Sequence, residues 1–215
     1  MDVLLNNLDL FVVGFRTTLV LFAWSAVFAT ILGLIVGMMR VSPVPVMRGV
    51  GTAYVNFVRN TPLTLIFFFF AFGYPKLELP EFSYTWLAII ALSLYTATYI
   101  AEVLRSGFNT VPLGQAEAAR AIGLSFVPTM TRVIMPQAFR AVIPPFMSVL
   151  IALLKNTTVA AGFAVHEAGA IRAYASERGE PAMVVLLWVA FFFIVLVMIL
   201  AYIQRRLEKR WKVAR

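Results

Sequence analysis

The chain has 215 residues, of which 61% are hydrophobic and 13% are charged, with a net charge of +8 and no cysteine. Soluble domains carry about 25% charged residues and fewer apolar ones, so this composition indicates an integral membrane protein. The absence of cysteine excludes disulfides and thiolate metal sites. With a single histidine, His166, we expect neither a metal site nor a catalytic site on this chain.

The spacing of charged residues predicts five membrane spans. Three stretches are free of charge over a full bilayer crossing, which needs about 20 residues; they are Thr17–Met39, Phe82–Ala101 and Pro181–Gln204. Two more hold one charge each, Arg59 within 49–75 and Lys155 within 141–165. We therefore predict one all-α membrane domain over residues 1–215, with spans at about 15–40, 52–75, 83–108, 138–165 and 181–205.

The basic residues predict how these spans are oriented. The first span follows no basic region and is longer than the apolar part of a signal peptide, so we interpret it as a retained anchor. With the N-terminus outside, 14 basic residues (Lys155 included) fall on inner segments and four on outer ones. The positive-inside rule favours that placement. We expect a multi-pass protein of the bacterial plasma membrane whose basic tail, Arg205–Arg215, is cytoplasmic, and no nucleic-acid partner.

The longest inner connection, residues 102–140, is too polar to be inserted. Pro112 and the helix formers of 115–122 predict a short helix, which Gly123 ends as a C-terminal cap. Ser125 predicts the start of a second short helix. The alanine-rich first helix would allow close contact with a partner, and the alternative is a surface helix lying on its own bundle.

Ordered motifs in the chain resemble a known family. Glu117-Ala118-Ala119, three residues, Gly123, nine residues and then Val133-x-Met135-Pro136 resemble the signature loop of ABC importer permeases, which has Ile and Leu in place of Val133 and Met135. Other segments resemble polar-amino-acid permeases: Arg59–Leu63, Val111–Gln115 and Leu154–Thr158. The run Met39–Pro43, together with Arg59–Leu65, is most similar to actinobacterial glutamate-uptake permeases.

This resemblance implies a type I importer permease with a coupling helix, in the loop 112–136, between spans three and four. It implies a second permease subunit (identical or different), two cytoplasmic ATPase subunits, an extracytoplasmic solute-binding protein, an amino-acid substrate and surrounding lipid. ATP and Mg²⁺ would be bound by the ATPase, and the sequence agrees because it holds no Gly-Lys pair for a Walker motif. The residues expected to couple ATPase and permease are Glu117, Ala118, Ala119, Gly123, Val133, Met135 and Pro136.

Polar groups at membrane depth are candidates for the substrate path. Lys155 follows Arg140 by 15 residues, or about 22 Å of helix, which predicts a position in the outer half of the membrane. There it would meet a substrate carboxylate together with Asn156, Thr157 and Thr158; snorkelling or a subunit-interface pair is the alternative. Asn60 or Thr61 as cap and Pro62 as first residue predict a helix start that attracts an anion, or else a simple helix boundary.

Two further pairs of residues have local interpretations. Glu102 and Arg105 are spaced for an ion pair, and His166 with Glu167 is expected in a solvated outer loop. The rival functions are a stand-alone carrier or channel and a membrane enzyme, which would need buried carboxylates, a repeated half or a cluster of catalytic groups. We favour a permease subunit that is not itself an enzyme and that transports glutamate or a related amino acid by alternating access.

Overall fold

The computed structural model describes residues 2–211, and every regular element in that range is helical. The helices are α1 (Asp2–Asn6), α2 (Leu8–Val41), α3 (Pro45–Asn60), α4 (Leu63–Leu77), α5 (Tyr84–Asn109), α6 (Leu113–Ala121), α7 (Phe126–Phe163), α8 (Ile171–Glu177) and α9 (Ala182–Trp211). Four of them, α2, α5, α7 and α9, are long and apolar enough to cross a membrane, and α3 with α4 forms a bent pair that is long and apolar enough only when the two are taken together. Lys212 and Arg215, counted above in the basic tail, lie outside the described residues.

The second predicted span, 52–75, differs from expectation because it is not one straight helix. α3 ends at Asn60, α4 begins at Leu63, and the two axes differ by 96°. Pro62 has no N–H to donate to an earlier carbonyl and disfavours helical backbone in the residue before it. Thr61 accordingly takes an extended conformation, with ψ of 129°. The chain therefore turns sharply two residues after Arg59.

The helices α2 and α5 form the central pair and run parallel to one another. Ser25 Oγ donates to the carbonyl of Ile89 at 3.4 Å, and farther along both helices Gly33 faces Ile100 and Gly37 faces Leu104. A Cβ on Gly33 would lie 2.7 Å from side-chain atoms of Ile100, so the close approach requires glycine. Parallel packing fits a first and a third span that cross the membrane in the same direction.

The connection over residues 112–136, which we call the elbow, shares the helix α7 with the fourth span, so the prediction of a separate second short helix is wrong. The Ser125 side chain makes no capping hydrogen bond, and the helix runs from Phe126 through a π-helical segment, Thr129–Ile134, into Met135–Asn156. Pro136 accounts for the wide turn, because its ring would clash with an earlier carbonyl in a regular α-helix.

Burial is uneven across the bundle. The main core packs around Leu21 of α2, Phe67 of α4 and Ile89 of α5, and a second cluster joins Phe11 to Ile171 and to the start of α9. α5 is mostly buried, whereas only 6% of the apolar stretch of α9 is buried. An apolar surface of this extent requires lipid or another subunit to cover it.

Candidate functional site

The elbow lies on the side that the basic residues predict to be cytoplasmic, which we call the inner side and its opposite the outer side. It is organised by the end of α6. Gly123 has φ of +85°, its N–H donates to the carbonyl of Arg120 at 2.9 Å, and the N–H of Leu124 donates to that of Ala119 at 3.1 Å. These two bonds form a Schellman motif, which satisfies the last carbonyls of the helix. The prediction that Gly123 ends the short helix is confirmed, and the positive φ explains why the position holds glycine.

The elbow carries an exposed apolar surface that we call the elbow patch. It consists of Leu113, Ile122, Phe126 and Val127, whose exposed fractions are 83%, 80%, 69% and 64%. Four large apolar side chains exposed on one connection are typical of an interaction surface. The sequence analysis missed this patch, although its members flank the Gly123 bend in the sequence.

The residues predicted for coupling lie on different sides of the elbow. Glu117 and Ala118 are exposed beside the elbow patch. Pro136 is also exposed, at the start of the regular part of α7, whereas Val133 and Met135 are half-buried. Ala119 is only 4% exposed, on a helix that packs against Thr129–Ile134. Its small side chain thus allows close packing within the elbow, and its part in coupling stays a prediction.

Lys155 lies in a groove between α7 and α9. The groove has a volume of about 470 Å³ and is lined by Lys155, Thr158, Phe193, Ile194, Val197 and Met198. Phe193, which lines the groove, is eleven residues into α9, or about 17 Å from the start of that helix. The groove therefore lies well along the predicted crossing and not at its end. The ammonium is exposed and belongs to none of the ion pairs found within residues 2–211. The threonine hydroxyls beside it donate to its own helix, Thr157 to Leu154 O and Thr158 to Lys155 O.

A helix does start at the break between α3 and α4, as predicted, but one residue later than expected and with no side-chain cap. Thr61 follows the last residue of α3 and its Oγ1 donates to the carbonyl of Phe57 at 2.8 Å. Asn60 Nδ2 likewise donates backward, to Asn56 O at 2.7 Å. Pro62 precedes α4 instead of opening it. Among the described residues, no hydrogen bond or ion pair connects this group to Lys155, Asn156, Thr157 or Thr158.

An ion-pair cluster fixes the inner ends of α2 and α5. The predicted pair of Glu102 and Arg105 is confirmed at 2.5 Å, and Arg40 of α2 pairs with the other carboxylate oxygen of Glu102. Arg40 is 62 residues from Glu102, which is why local spacing did not reveal its part. The cluster lies just before the chain leaves α5 for the elbow.

Glu167 corrects the expectation of a solvated outer loop. It is 1% exposed; Thr18 Oγ1 donates to its Oε2 at 3.0 Å and the Gly169 N–H to its Oε1 at 2.6 Å. Burial raises the pKa of this carboxyl to about 7, against the opposing effect of the hydrogen bonds. His166 is exposed as predicted, with its ring 4.8 Å from that of Tyr174. The carboxyl thus fastens the loop after α7 to α2.

A second outer contact holds the N-terminal segment. Arg178 donates from both terminal nitrogens to the carboxylate of Asp9, at 3.0 and 2.7 Å. The buried Asn7 donates to Glu180 at 2.8 Å and accepts from Arg178 at 3.1 Å. These bonds join α1 and the start of α2 to the loop that leads into α9.

The crossing helices and the exposed inner elbow have the architecture of a membrane transport subunit. Residues 29–213 match the family model described as the binding-protein-dependent transport system inner membrane component. The chain belongs to this family, as a multi-pass membrane protein.

Individual relatives and solved structures agree with that assignment. The glutamate transport system permease protein GluC of Corynebacterium glutamicum is 49% identical over 72% of this chain and 73% of its own length. The probable glutamine ABC transporter permease protein GlnM of Bacillus subtilis is 34% identical over 98% of this chain and 99% of its own. The crystal structure of an amino acid ABC transporter with histidines has a TM-score of 0.91 at 22% identity, covering 96% of both chains. An inward-facing MetNI methionine ABC transporter has a TM-score of 0.77 at 21% identity, covering 96% of this chain and 98% of its own. The fold is that of a type I ABC importer permease.

Proposed function

We propose that this chain is the permease subunit of an ATP-driven, binding-protein-dependent importer of polar amino acids, with glutamate as the first substrate to test. The family assignment and the amino-acid permeases among its relatives support this proposal. The rival, a stand-alone carrier or channel, has no such relative among those compared above.

The observation that carries the proposal is the elbow patch. A carrier that works alone has no use for four large apolar side chains exposed on an inner connection, whereas a subunit driven by an ATPase needs such a contact surface. Glu117 and Ala118 are exposed beside the patch, and Gly123 sets its bend. In this proposal the ATPase binds ATP and Mg²⁺, and its closure moves the elbow and, through α7, the membrane-embedded gate.

The proposal also assigns sides and partners. The N-terminus is outside and the C-terminus cytoplasmic, which the distribution of basic residues supports. The largely exposed α9 is available to a second permease subunit, identical or different, and to lipid. A solute-binding protein delivers the amino acid to the outer face. Lys155 and the segment 60–62 stay proposed contacts along the substrate path.

Copurification of the chain with its ATPase tests the proposal. We expect the ATPase to remain bound to the wild-type chain, and Ile122→Asp or Phe126→Asp to weaken that association at least about tenfold, because each removes a contact of about 1.5–3 kcal/mol. Leu79→Asp is the matched control, since Leu79 is 50% exposed on the connection between α4 and α5, away from the elbow. Substrate uptake in vesicles by the wild-type chain without any ATPase would contradict the proposal and favour the stand-alone carrier.

A further inference from the structure

A second polar cluster lies beside the break between α3 and α4, next to the segment 60–62 that is proposed above for the substrate path. Arg59 ends α3, and its guanidinium carbon stands 5.2 Å from the ring centroid of Tyr99. The hydroxyls of Tyr99 and Tyr95, one helical turn apart on α5, are 2.9 Å from each other. We infer that Arg59, Tyr95 and Tyr99 bind a carboxylate of the transported amino acid; this inference rests on the function proposed above.

The depth of the cluster follows from the packing of α5 on α2. Tyr99 precedes Ile100, which faces Gly33. Gly33 lies six residues before Met39, the last residue of the first charge-free stretch, or about 9 Å along the helix. The cluster is therefore inside the apolar layer, on the inner side of its middle. A cation at such a depth is costly and is a functional candidate by default.

The arginine has no anionic partner within residues 2–211. The ion pairs found there are Arg40–Glu102, Arg105–Glu102 and Arg178–Asp9. Glu102 is three residues from Tyr99 along α5, yet both of its oxygens are taken by the other two arginines. Arg59 is exposed and keeps only the face of its guanidinium against the Tyr99 ring. Its N–H donors therefore remain available to a ligand.

These groups match a carboxylate chemically. A guanidinium presents parallel N–H donors to the two oxygens of a carboxylate. In the Tyr95–Tyr99 pair one hydroxyl donates to the other, which leaves one O–H to donate to a further acceptor. Stacking on Tyr99 holds the guanidinium beside that hydroxyl. The cluster also lies next to the sharp turn between α3 and α4, where the chain leaves helical geometry inside the membrane.

Direct binding of amino acids to the assembled permease–ATPase complex, without the solute-binding protein, tests this inference. Labelled L-glutamate and L-glutamine are the probes. We expect Arg59→Gln to weaken binding of glutamate about tenfold to hundredfold, the effect of losing hydrogen bonds to a charged group. Arg59→Lys should recover part of the loss, since it restores the charge without the planar fork.

Arg48→Gln is the matched control. Arg48 lies on the same helix, is exposed, and donates only to the backbone carbonyls of Ser42 and Pro43, so binding should stay within about twofold of wild type. Should Arg59→Gln fail to assemble with the ATPase, Tyr99→Phe decides, because it keeps the ring and removes the hydroxyl. We expect about threefold to tenfold weaker binding from that change.

The outcomes separate this inference from the proposed function. The carboxylate site is overturned if an assembled Arg59→Gln complex binds glutamate as the wild type does. Where Arg59→Gln does not assemble, unchanged binding by Tyr99→Phe has the same meaning. In both cases the permease function stays intact, and Arg59 extends toward the inner interface. A wild-type complex that binds no amino acid overturns the carboxylate site, whereas the proposed function fails only if the ATPase does not copurify or uptake proceeds without it. Equal losses for glutamate and glutamine support a contact with the α-carboxylate, and a loss confined to glutamate supports one with the side-chain carboxylate.

Discussion

The two connections that flank α7 each carry a glutamate, and the structure treats the two in opposite ways. Glu117, in the inner elbow, is exposed among large apolar side chains that are exposed as well. Glu167, in the outer connection, is 1% exposed, with both carboxylate oxygens bonded to groups of its own chain.

The difference separates a surface prepared for a partner from one that holds the bundle together. The exposed apolar and charged groups of the elbow make few contacts within the subunit. They gain most of their contacts when the subunit assembles with another protein. The hydrogen bonds of the buried groups in the outer connection instead stabilise the folded subunit itself, because buried polar groups are stable only when they are hydrogen-bonded. Changes in the outer connection should therefore affect stability, and changes in the elbow should affect coupling.

The largest effect expected is on stability, from the titration of Glu167. Its pKa rises from 4.5 to about 7 on folding, so the folded chain binds more protons than the unfolded chain between those values. The stabilisation is fully present below about pH 4.5 and is lost as the pH rises to about 7, a change of about 3 kcal/mol. Thermal unfolding in detergent between pH 4.5 and 7.5 should show the loss.

Two variants isolate that effect. Glu167→Gln cannot ionise, so its melting temperature should change little over the same range of pH. Glu81→Gln, which replaces an exposed glutamate of the connection before α5, should keep the wild-type slope. A melting temperature of the wild-type chain that stays constant from pH 4.5 to 7.5 would contradict a buried, titrating Glu167.

The next effect is on coupling, from Gly123→Val. Gly123 has φ of +85° and open space around it, so valine meets no neighbouring atom but strains the backbone by about 1–3 kcal/mol. We expect the variant to insert and purify normally, while transport driven by ATP falls about tenfold because the elbow loses its bend. Uptake and ATP hydrolysis in reconstituted vesicles measure this.

Gly49→Val is the control that separates the effect of backbone strain from that of a larger side chain. Gly49 also has open space around it but lies in regular helix, so transport by this variant should stay close to wild type. Normal uptake with normal ATP use by Gly123→Val would show that the bend is not part of the coupling path.

The smallest effect concerns the outer connection again. Arg178→Ala breaks the pair with Asp9, whose side chain is 59% exposed against 44% for Arg178. Exposed ion pairs contribute little to stability because solvent and salt screen them, so the melting temperature should fall by a few degrees at most, and raised salt should reduce the difference between variant and wild type. A large loss of stability would mean that the bond from Arg178 to the buried Asn7 matters more than the exposed pair.

Sequence patterns predicted what depends on local spacing. The charge-free stretches predicted the membrane helices, and the glycine after an alanine-rich run predicted where α6 ends. The break at Pro62 had a local signal too, but the 96° turn depends on how α3 packs against α5, which hydropathy does not contain.

The features that the sequence did not predict depend on partners far apart in the chain. Thr18 is 149 residues from Glu167, and Arg40 is 62 residues from Glu102. A glutamate near a span end is more often solvated than buried, so only the folded positions reveal these bonds. The coupling residues came from the motif resemblance, whereas the exposed face of Ile122 and Phe126 became visible only with the bend in place.

The glycine contacts between α2 and α5 bear on how a gate in this subunit can open. At Gly33 and Gly37 a methyl group would already meet Ile100 and Leu104 within 2.9 Å, so sliding one helix along the other would drive side chains into backbone. Closely packed interfaces of this kind move as rigid bodies. Deformation during a transport cycle is then expected in segments that are not locked in this way, such as the turn at Thr61 and Pro62 and the π-helical stretch Thr129–Ile134 within the elbow.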